Sequence, residues 1–215
     1  MAFEIRCVES MPFAENSYIL WRPGNSQAIV IDPGFEPDKI LQELKSNNLT
    51  AVMLLNTHGH VDHIAGNAAM KEAFPGAPIV IGQSDAVMLS DPMANLSGAW
   101  GFNITSPPPD VLLPDDSAVE IAGFMLEAME IPGHSPGHVV YVLREPDRVH
   151  VLGGDVLFNG SIGRTDFPGG SMEQLVSGIR RRLWPLPPDT IVYPGHGPTT
   201  TIGEEKRANP FCAGE

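Results

Sequence analysis

Four side chains able to bind a metal ion stand within six residues of this chain: His58, His60, Asp62 and His63, in Thr57-His58-Gly59-His60-Val61-Asp62-His63. Imidazole nitrogen and carboxylate oxygen are donors that zinc and similar divalent ions accept. The run directly follows the apolar segment 51–55. In an extended segment alternate side chains share a side, so His58 and His60 can reach one ion together. Asp62 and His63 follow at the turn and can reach a second ion.

Three further donors repeat the same placement, each just after a β-branched or apolar run. His134 lies in Pro132-Gly133-His134-Ser135-Pro136-Gly137-His138, after 125–131. Asp155 closes Gly153-Gly154-Asp155 after 149–152, and His196 lies in Tyr193-Pro194-Gly195-His196-Gly197-Pro198 after 191–192. A single Gly-His or Gly-Asp is more often a turn than a ligand. Four such sites at strand ends are another matter, because ligands of layered α/β proteins gather at the carboxyl ends of strands. Two histidines remain. His138 is expected to be structural or to orient a ligand, and His150, inside an apolar run, to be a structural or surface residue.

The elements that must carry these residues are legible as short strands alternating with helical stretches, the pattern of an α/β layered protein. Segments 18–21 and 28–31 flank Arg22-Pro23-Gly24-Asn25 and form a hairpin. Pro37 opens a helix through Ile40, Leu41 and Leu44. A buried strand is expected at 52–55, a helix at 64–74 stopped by Pro75-Gly76, and a strand at 78–81. Residues 91–114, with Pro107-Pro108-Pro109, read as an irregular covering loop. Strands follow at 119–121, 124–131, 139–143 and 149–152, then a helix at 172–183, a strand at 190–193 and a short helix at 203–208. Strands grouped with helices in both halves suggest two packed sheets with helices outside, in one domain spanning residues 1–215.

Composition narrows the function classes. Of 215 residues 42% are hydrophobic, ample for a full core. Thirteen basic against 26 acidic residues give a net charge of −13, which argues against nucleic-acid binding and weakly against an anionic membrane. No apolar run is long enough to span a bilayer. The start, Met1-Ala2-Phe3-Glu4-Ile5-Arg6, lacks a basic region followed by an apolar core, so no signal peptide is expected. With Cys7 and Cys212 near opposite ends and no disulfide framework, a cytoplasmic location is expected.

The ordered set His-x-His-x-Asp-His, Pro-Gly-His, Gly-Asp and Gly-His-Gly resembles the metallo-β-lactamase superfamily of hydrolases. The resemblance covers residues 16–211 and includes the turn Ile31-Asp32-Pro33-Gly34. It implies an αββα four-layer sandwich and a two-metal site. Carried over position by position, His58, His60 and His134 would hold one ion, Asp62, His63 and His196 the other, and Asp155 would bridge both. Asp62 and Asp155 are then the candidate catalytic residues. Zinc is the first expectation for this donor set; iron and manganese are compatible with it.

Within the superfamily, Gly154-Asp155-Val156-Leu157-Phe158 with Gly163-Arg164-Thr165-Asp166-Phe167 is similar to the glyoxalase II branch, especially its short bacterial type, and Arg207-Ala208-Asn209-Pro210-Phe211 fits that type too. This implies hydrolysis of small-molecule thioesters, glutathione-derived ones in particular. Arg164 stands where longer relatives bind glutathione through a basic residue; the other reading pairs it with Asp166. The longer enzymes carry tyrosine where this chain has Asp166, and a C-terminal helical extension where it ends at Glu215. Three alternatives remain open: a persulfide dioxygenase with one iron on His58, His134 and Asp155, a lactonase or β-lactamase, and a metal-binding or sensing protein without activity.

Overall fold

Along the strands, neighbouring residues go to different cores, and this alternation sorts the molecule into layers. Tyr18 and Leu20, Ile29 and Ile31 face one core, whereas Ile19, Ala28 and Val30 face another. Val139, Tyr141 and Leu143 join the first core, and Val140 and Val142 a third. The computed structural model describes residues 3–214. Met1 and Ala2 of the expected leaderless start, and Glu215 at the end of the expected single domain, lie outside the described residues.

The first sheet runs in sequence order through β1 (Glu4–Ser10), β2 (Glu15–Trp21), β3 (Gln27–Ile31), β4 (Thr50–Leu55), β5 (Ile79–Gly82) and β6 (Val111–Leu113). The expected hairpin is there, with Tyr18 opposite Ile31 and Trp21 opposite Ala28. From β3 onward the pairings are parallel, and helix α1 (Pro37–Ser46) makes the first crossover. Ile40 and Leu44 of α1 pack on the outer face of this sheet with Ile64 and Met70.

The second sheet has the order β14-β13-β10-β9-β8-β7, from β7 (Ser117–Ile121), β8 (Phe124–Glu130), β9 (Val139–Arg144), β10 (Val149–Gly154), β13 (Ile191–Pro194) and β14 (Thr200–Thr201). A small hairpin, β11 (Leu157–Phe158) and β12 (Ser161–Ile162), sits apart from it. Its outer face is covered by Leu175, Ile179, Leu183 and Ile202 from the helical segments Met172–Leu183 and Ile202–Ala208. The order helix, sheet, sheet, helix is the expected αββα sandwich.

The structure departs from the expectations in local ways. The helix expected at 64–74 is two pieces, α2 (Val61–Ile64) and α3 (Asn67–Ala73), with Gly66 between them. The Gly66 N–H donates to the Pro33 carbonyl at 2.8 Å, and a Cβ there would stand 2.6 Å from the Gly34 carbonyl oxygen. The break lets this backbone dock on the 33–34 turn, and the earlier start puts Asp62 and His63 on a helical turn. Similarly, the helix expected at 172–183 is α-helical only as α4 (Met172–Gly178) and continues as one π-turn, Ile179–Leu183. Helix α5 is Ile202–Ala208. Strand β1 went unpredicted because it is an edge strand with charged, exposed positions. The covering stretch 91–114 ends in β6, which the prolines mask.

The two sheets are joined at one end, the carboxyl end of their parallel strands. The Val139 N–H donates to the Thr57 carbonyl at 2.7 Å, and Tyr141 Oη to that of Asn56 at 2.8 Å. Tyr18 Oη and Asn16 Nδ2 both donate to the Pro194 carbonyl, at 2.8 and 3.1 Å. No helix among the described residues is long and apolar enough to cross a membrane.

Candidate metal centre

Every sequence-predicted donor arrives at this joined end from the terminus of an element. The loop after β4 delivers His58 and His60, and α2 carries Asp62 and His63. His134 follows β8, Asp155 follows β10, and His196 follows β13. His58, His60, His63, His134 and Asp155 are buried; Asp62 and His196 are partly exposed.

The donor atoms converge in two groups. His60 Nδ1 lies 2.9 Å and His58 Nε2 3.3 Å from His134 Nε2. His63 Nε2 stands 3.4 Å from Asp155 Oδ1 and 3.8 Å from Asp62 Oδ2, and His196 Nε2 is 3.4 Å from Asp62 Oδ2. The second carboxylate oxygen, Asp155 Oδ2, is 3.5 Å from His134 Nε2 and 3.6 Å from His196 Nε2. Asp155 therefore stands between the groups, within reach of both. Donors held about 2.0–2.1 Å from a tetrahedral ion are spaced about 3.3 Å from one another, and these spacings cluster near that value. His63 Nε2 and Asp155 Oδ1 are buried without a hydrogen-bond partner. Buried polar atoms left unpaired cost free energy, and an ion would satisfy both. These residues fit a metal pair.

Their ring orientation is fixed from behind. His63 Nδ1 donates to Asp32 Oδ2 at 3.0 Å, and His58 Nδ1 to Thr57 Oγ1 at 3.1 Å. His134 Nδ1 donates to the Arg164 carbonyl at 2.8 Å, and His196 Nδ1 to those of Phe13 and Ala14 at 3.1 and 3.2 Å. With the proton held on Nδ1, each ring turns the lone pair of Nε2 to the centre. His60 alone is reversed, presenting Nδ1.

Two positioning residues, Asp32 and Asp85, were not identified from the sequence. Buried Asp32 accepts from Thr57 N and Thr57 Oγ1, each at 2.7 Å, besides His63. Buried Asp85 accepts from Ser135 Oγ and Gly137 N at 2.6 Å and from Gly59 N at 3.3 Å, tying the His58–His60 loop to the His134 loop. His138, left open between structural and orienting roles, accepts from the Asp155 N–H at 3.0 Å through Nε2 and so locates Asp155. His150 is the structural residue expected, against Tyr193 Oη at 3.2 Å. At Gly195 close approach leaves no room for a side chain, since a Cβ would run into Asp155 Oδ1 and His63.

Charge divides the two groups. Burial, reinforced by neighbouring imidazoles, pushes His58 well below the usual imidazole range and His60 down to about 3. For His63 burial pulls the same way, yet Asp155, Asp62 and Asp32 overcome it and raise its pKa well above 6.5; Asp62 and Asp155 likewise raise His196. Burial would lift Asp155, but His63, His134 and His196 hold it far below the carboxylate range. The second group thus concentrates positive charge on protons where a dication would sit. A ligating imidazole must shed its proton, so protons compete with an ion more strongly at His63 and His196 than at His58 and His60. Acidifying the metal-loaded protein from pH 8 to 5 is expected to strip the Asp62–His63–His196 ion first. Elemental analysis of desalted samples should pass through one ion per chain; simultaneous loss of both would refute the asymmetry.

Five of the donors, His60, Asp62, His134, Asp155 and His196, floor a cavity of about 410 Å³ walled by Phe13, Leu96, Trp100, Phe158, Ile162 and Phe167. Phe13 and Trp100 stack with ring centroids 4.8 Å apart, the covering stretch thus closing one side. Arg164 lines the rim, and its guanidinium pairs with Asp166, the second of the two readings given for that residue.

Known proteins resemble this chain in sequence and fold. The chain is 40% identical over 204 residues to the probable metallo-hydrolase YqgX of Bacillus subtilis, covering 94% of each. It is 37% identical over 213 residues to the hydroxyacylglutathione hydrolase GloC of Haemophilus influenzae, covering 96% of this chain and 97% of that one. Among solved structures, the BLEG-1 B3 metallo-beta-lactamase superposes with a TM-score of 0.93 at 37% identity, over 98% of this chain and 100% of that one. TTHA1623 in a di-iron-bound form does so at 0.81 and 37%, over 96% and 99%. The model of the metallo-beta-lactamase superfamily matches residues 11–196, a span that holds all seven donors. With its sandwich, its donor order and this match in agreement, the chain belongs to the metallo-beta-lactamase superfamily.

Proposed function

We propose that this metallo-hydrolase is a glyoxalase II-like thioesterase that cleaves S-acyl, in particular hydroxyacyl, glutathione. The observation that carries the reading is the buried Asp155 carboxylate, with Oδ1 toward His63 and Oδ2 toward His134 and His196. Two divalent ions, zinc first and iron or manganese as alternatives, would be held by His58, His60 and His134 and by Asp62, His63 and His196, with Asp155 shared. Bound there they supply Lewis acidity and a water of lowered pKa. The complete second group favours two ions over the single iron of a dioxygenase.

The chain's own residues do the rest. Burial would raise the Asp62 pKa, but His63 and His196 hold it below the usual carboxylate value, so Asp62 stays an acceptor at the cavity floor, able to orient the attacking water. The aromatic walls give the reacting carbonyl an apolar surround on the sides they cover. A departing thiolate, whose conjugate acid has a pKa of about 8.5, needs no proton delivered. That matches a cavity in which no lysine, tyrosine or cysteine stands among the lining residues. The similarity to the Haemophilus influenzae hydroxyacylglutathione hydrolase supports the substrate class. With Cys7 and Cys212 unpaired, the cytoplasm is the proposed location.

The likeness to the BLEG-1 β-lactamase favours a second reading, β-lactam hydrolysis in the same cavity. Elemental analysis with a panel of S-lactoylglutathione, a β-lactam and glutathione persulfide separates the readings. Two ions per chain and thioester turnover are expected. Turnover of the β-lactam alone would move the assignment to the second reading, and one iron with oxygen uptake would end the hydrolase reading.

A further inference from the structure

Arg164 faces two ways. Its carbonyl orients the His134 ring, while its guanidinium lies at the cavity rim over the face of Phe167, 4.1 Å from the ring centroid. Phe167 in turn meets His60 edge-on at 5.3 Å, so the guanidinium is referenced to the donor cluster through one ring. Apart from the histidines, Arg164 is the one basic residue lining this cavity among the described residues. Its side-on edge is already taken: Nε and Nη2 donate in parallel to Asp166 Oδ1 at 2.8 Å and Oδ2 at 2.7 Å. That is the fork geometry with which arginine holds a carboxylate.

We propose that Asp166 sets the charge selectivity of this cavity, by occupying the fork that a carboxylate on the substrate's leaving thiol would use. The inference rests on the thioesterase reading. A glutathione carboxylate must either displace Asp166 or take the end-on edge beside it, and in both cases it meets a like charge. Thioesters whose thiol is uncharged at this rim escape that penalty and gain the aromatic walls. Exchange is feasible because the Arg164 and Asp166 side chains are 58% and 67% exposed, and an exposed ion pair is weakly bound.

Binding of two uncleavable thioethers tests this in the metal-loaded protein. S-hexylglutathione carries the carboxylates, hexyl 2-hydroxyethyl sulfide carries none, and quenching of tryptophan fluorescence reports both, since Trp100 lines the cavity. Asp166→Asn is expected to tighten S-hexylglutathione by roughly three- to tenfold, the scale of freeing one exposed pair and removing one nearby charge. The uncharged thioether should bind unchanged, and Asp166→Ala should act in the same direction. The gain should vanish in the double variant Arg164→Ala, Asp166→Asn. Equal affinities, parallel tightening of both probes, weaker S-hexylglutathione binding by the Asp166 variants, or no binding of it by any variant would each overturn the proposal. Neither probe is hydrolysed, so failure of the thioesterase reading shows separately, in the turnover panel.

Discussion

The Asp155→Ala variant loses more than about 10³-fold in kcat/KM toward whichever substrate the wild type turns over, and retains at most one ion per chain. Among the described residues, Asp155 is the one whose oxygens approach members of both donor groups, within 3.4–3.6 Å of His63, His134 and His196. Removing it deletes an anionic ligand where positive charge is densest, and leaves the three imidazoles facing one another without compensation. Losing a single preorganised electrostatic contact commonly costs about 10²–10³-fold in rate, and here the nucleophile's site goes with it. Elemental analysis beside steady-state kinetics measures both consequences. Two retained ions and activity within about tenfold of wild type would refute the shared-ligand role; Asp155→Asn, which keeps the shape but not the charge, should fall between.

Asp32→Ala unfolds the metal-free protein at a temperature lower by roughly 6–20 °C, corresponding to about 3–5 kcal/mol for a chain of this size. Asp32 is 2% exposed and accepts three hydrogen bonds, from Thr57 N, Thr57 Oγ1 and His63 Nδ1. Alanine leaves these donors buried and unpaired. The backbone adds to the cost, because Asp32 has φ +49°, a left-handed conformation that aspartate tolerates better than alanine. Thermal unfolding followed by circular dichroism is the measurement, and a loss below about 1 kcal/mol would mean that water replaces the carboxylate. Since His63 also loses its Nδ1 acceptor, the ion of its group should bind more weakly, by about 10–100-fold.

The donors were legible in the sequence because each follows an apolar run and is marked by its neighbours: four within six residues, the others beside glycine. The alternation along β2, β3 and β9 made the layers legible in the same way, since strand period alone divides Tyr18 from Ile19 and Val139 from Val140. What escaped depends on contacts distant along the chain. Asp85 reaches Ser135 and Gly137 across 50 and 52 positions, and nothing around it distinguishes it from a surface aspartate. Asp32 was marked only by its place in a strand-to-turn segment; its work on Thr57 and His63 lies 25 and 31 positions away. For Arg164 the pairing with Asp166 was readable at two positions' distance, whereas the use of its carbonyl by His134 could not be, as any residue offers one.

Each donor group draws on both sheets: His58 and His60 meet His134, and Asp62 and His63 meet His196 and Asp155. An ion held by either group would therefore rivet the front half of the polypeptide to the back half. Its binding energy would add directly to the docking of one half on the other. Such a centre is complete only once both halves have been synthesised and have closed on each other, so catalytic competence and structural completion would arrive in the same event.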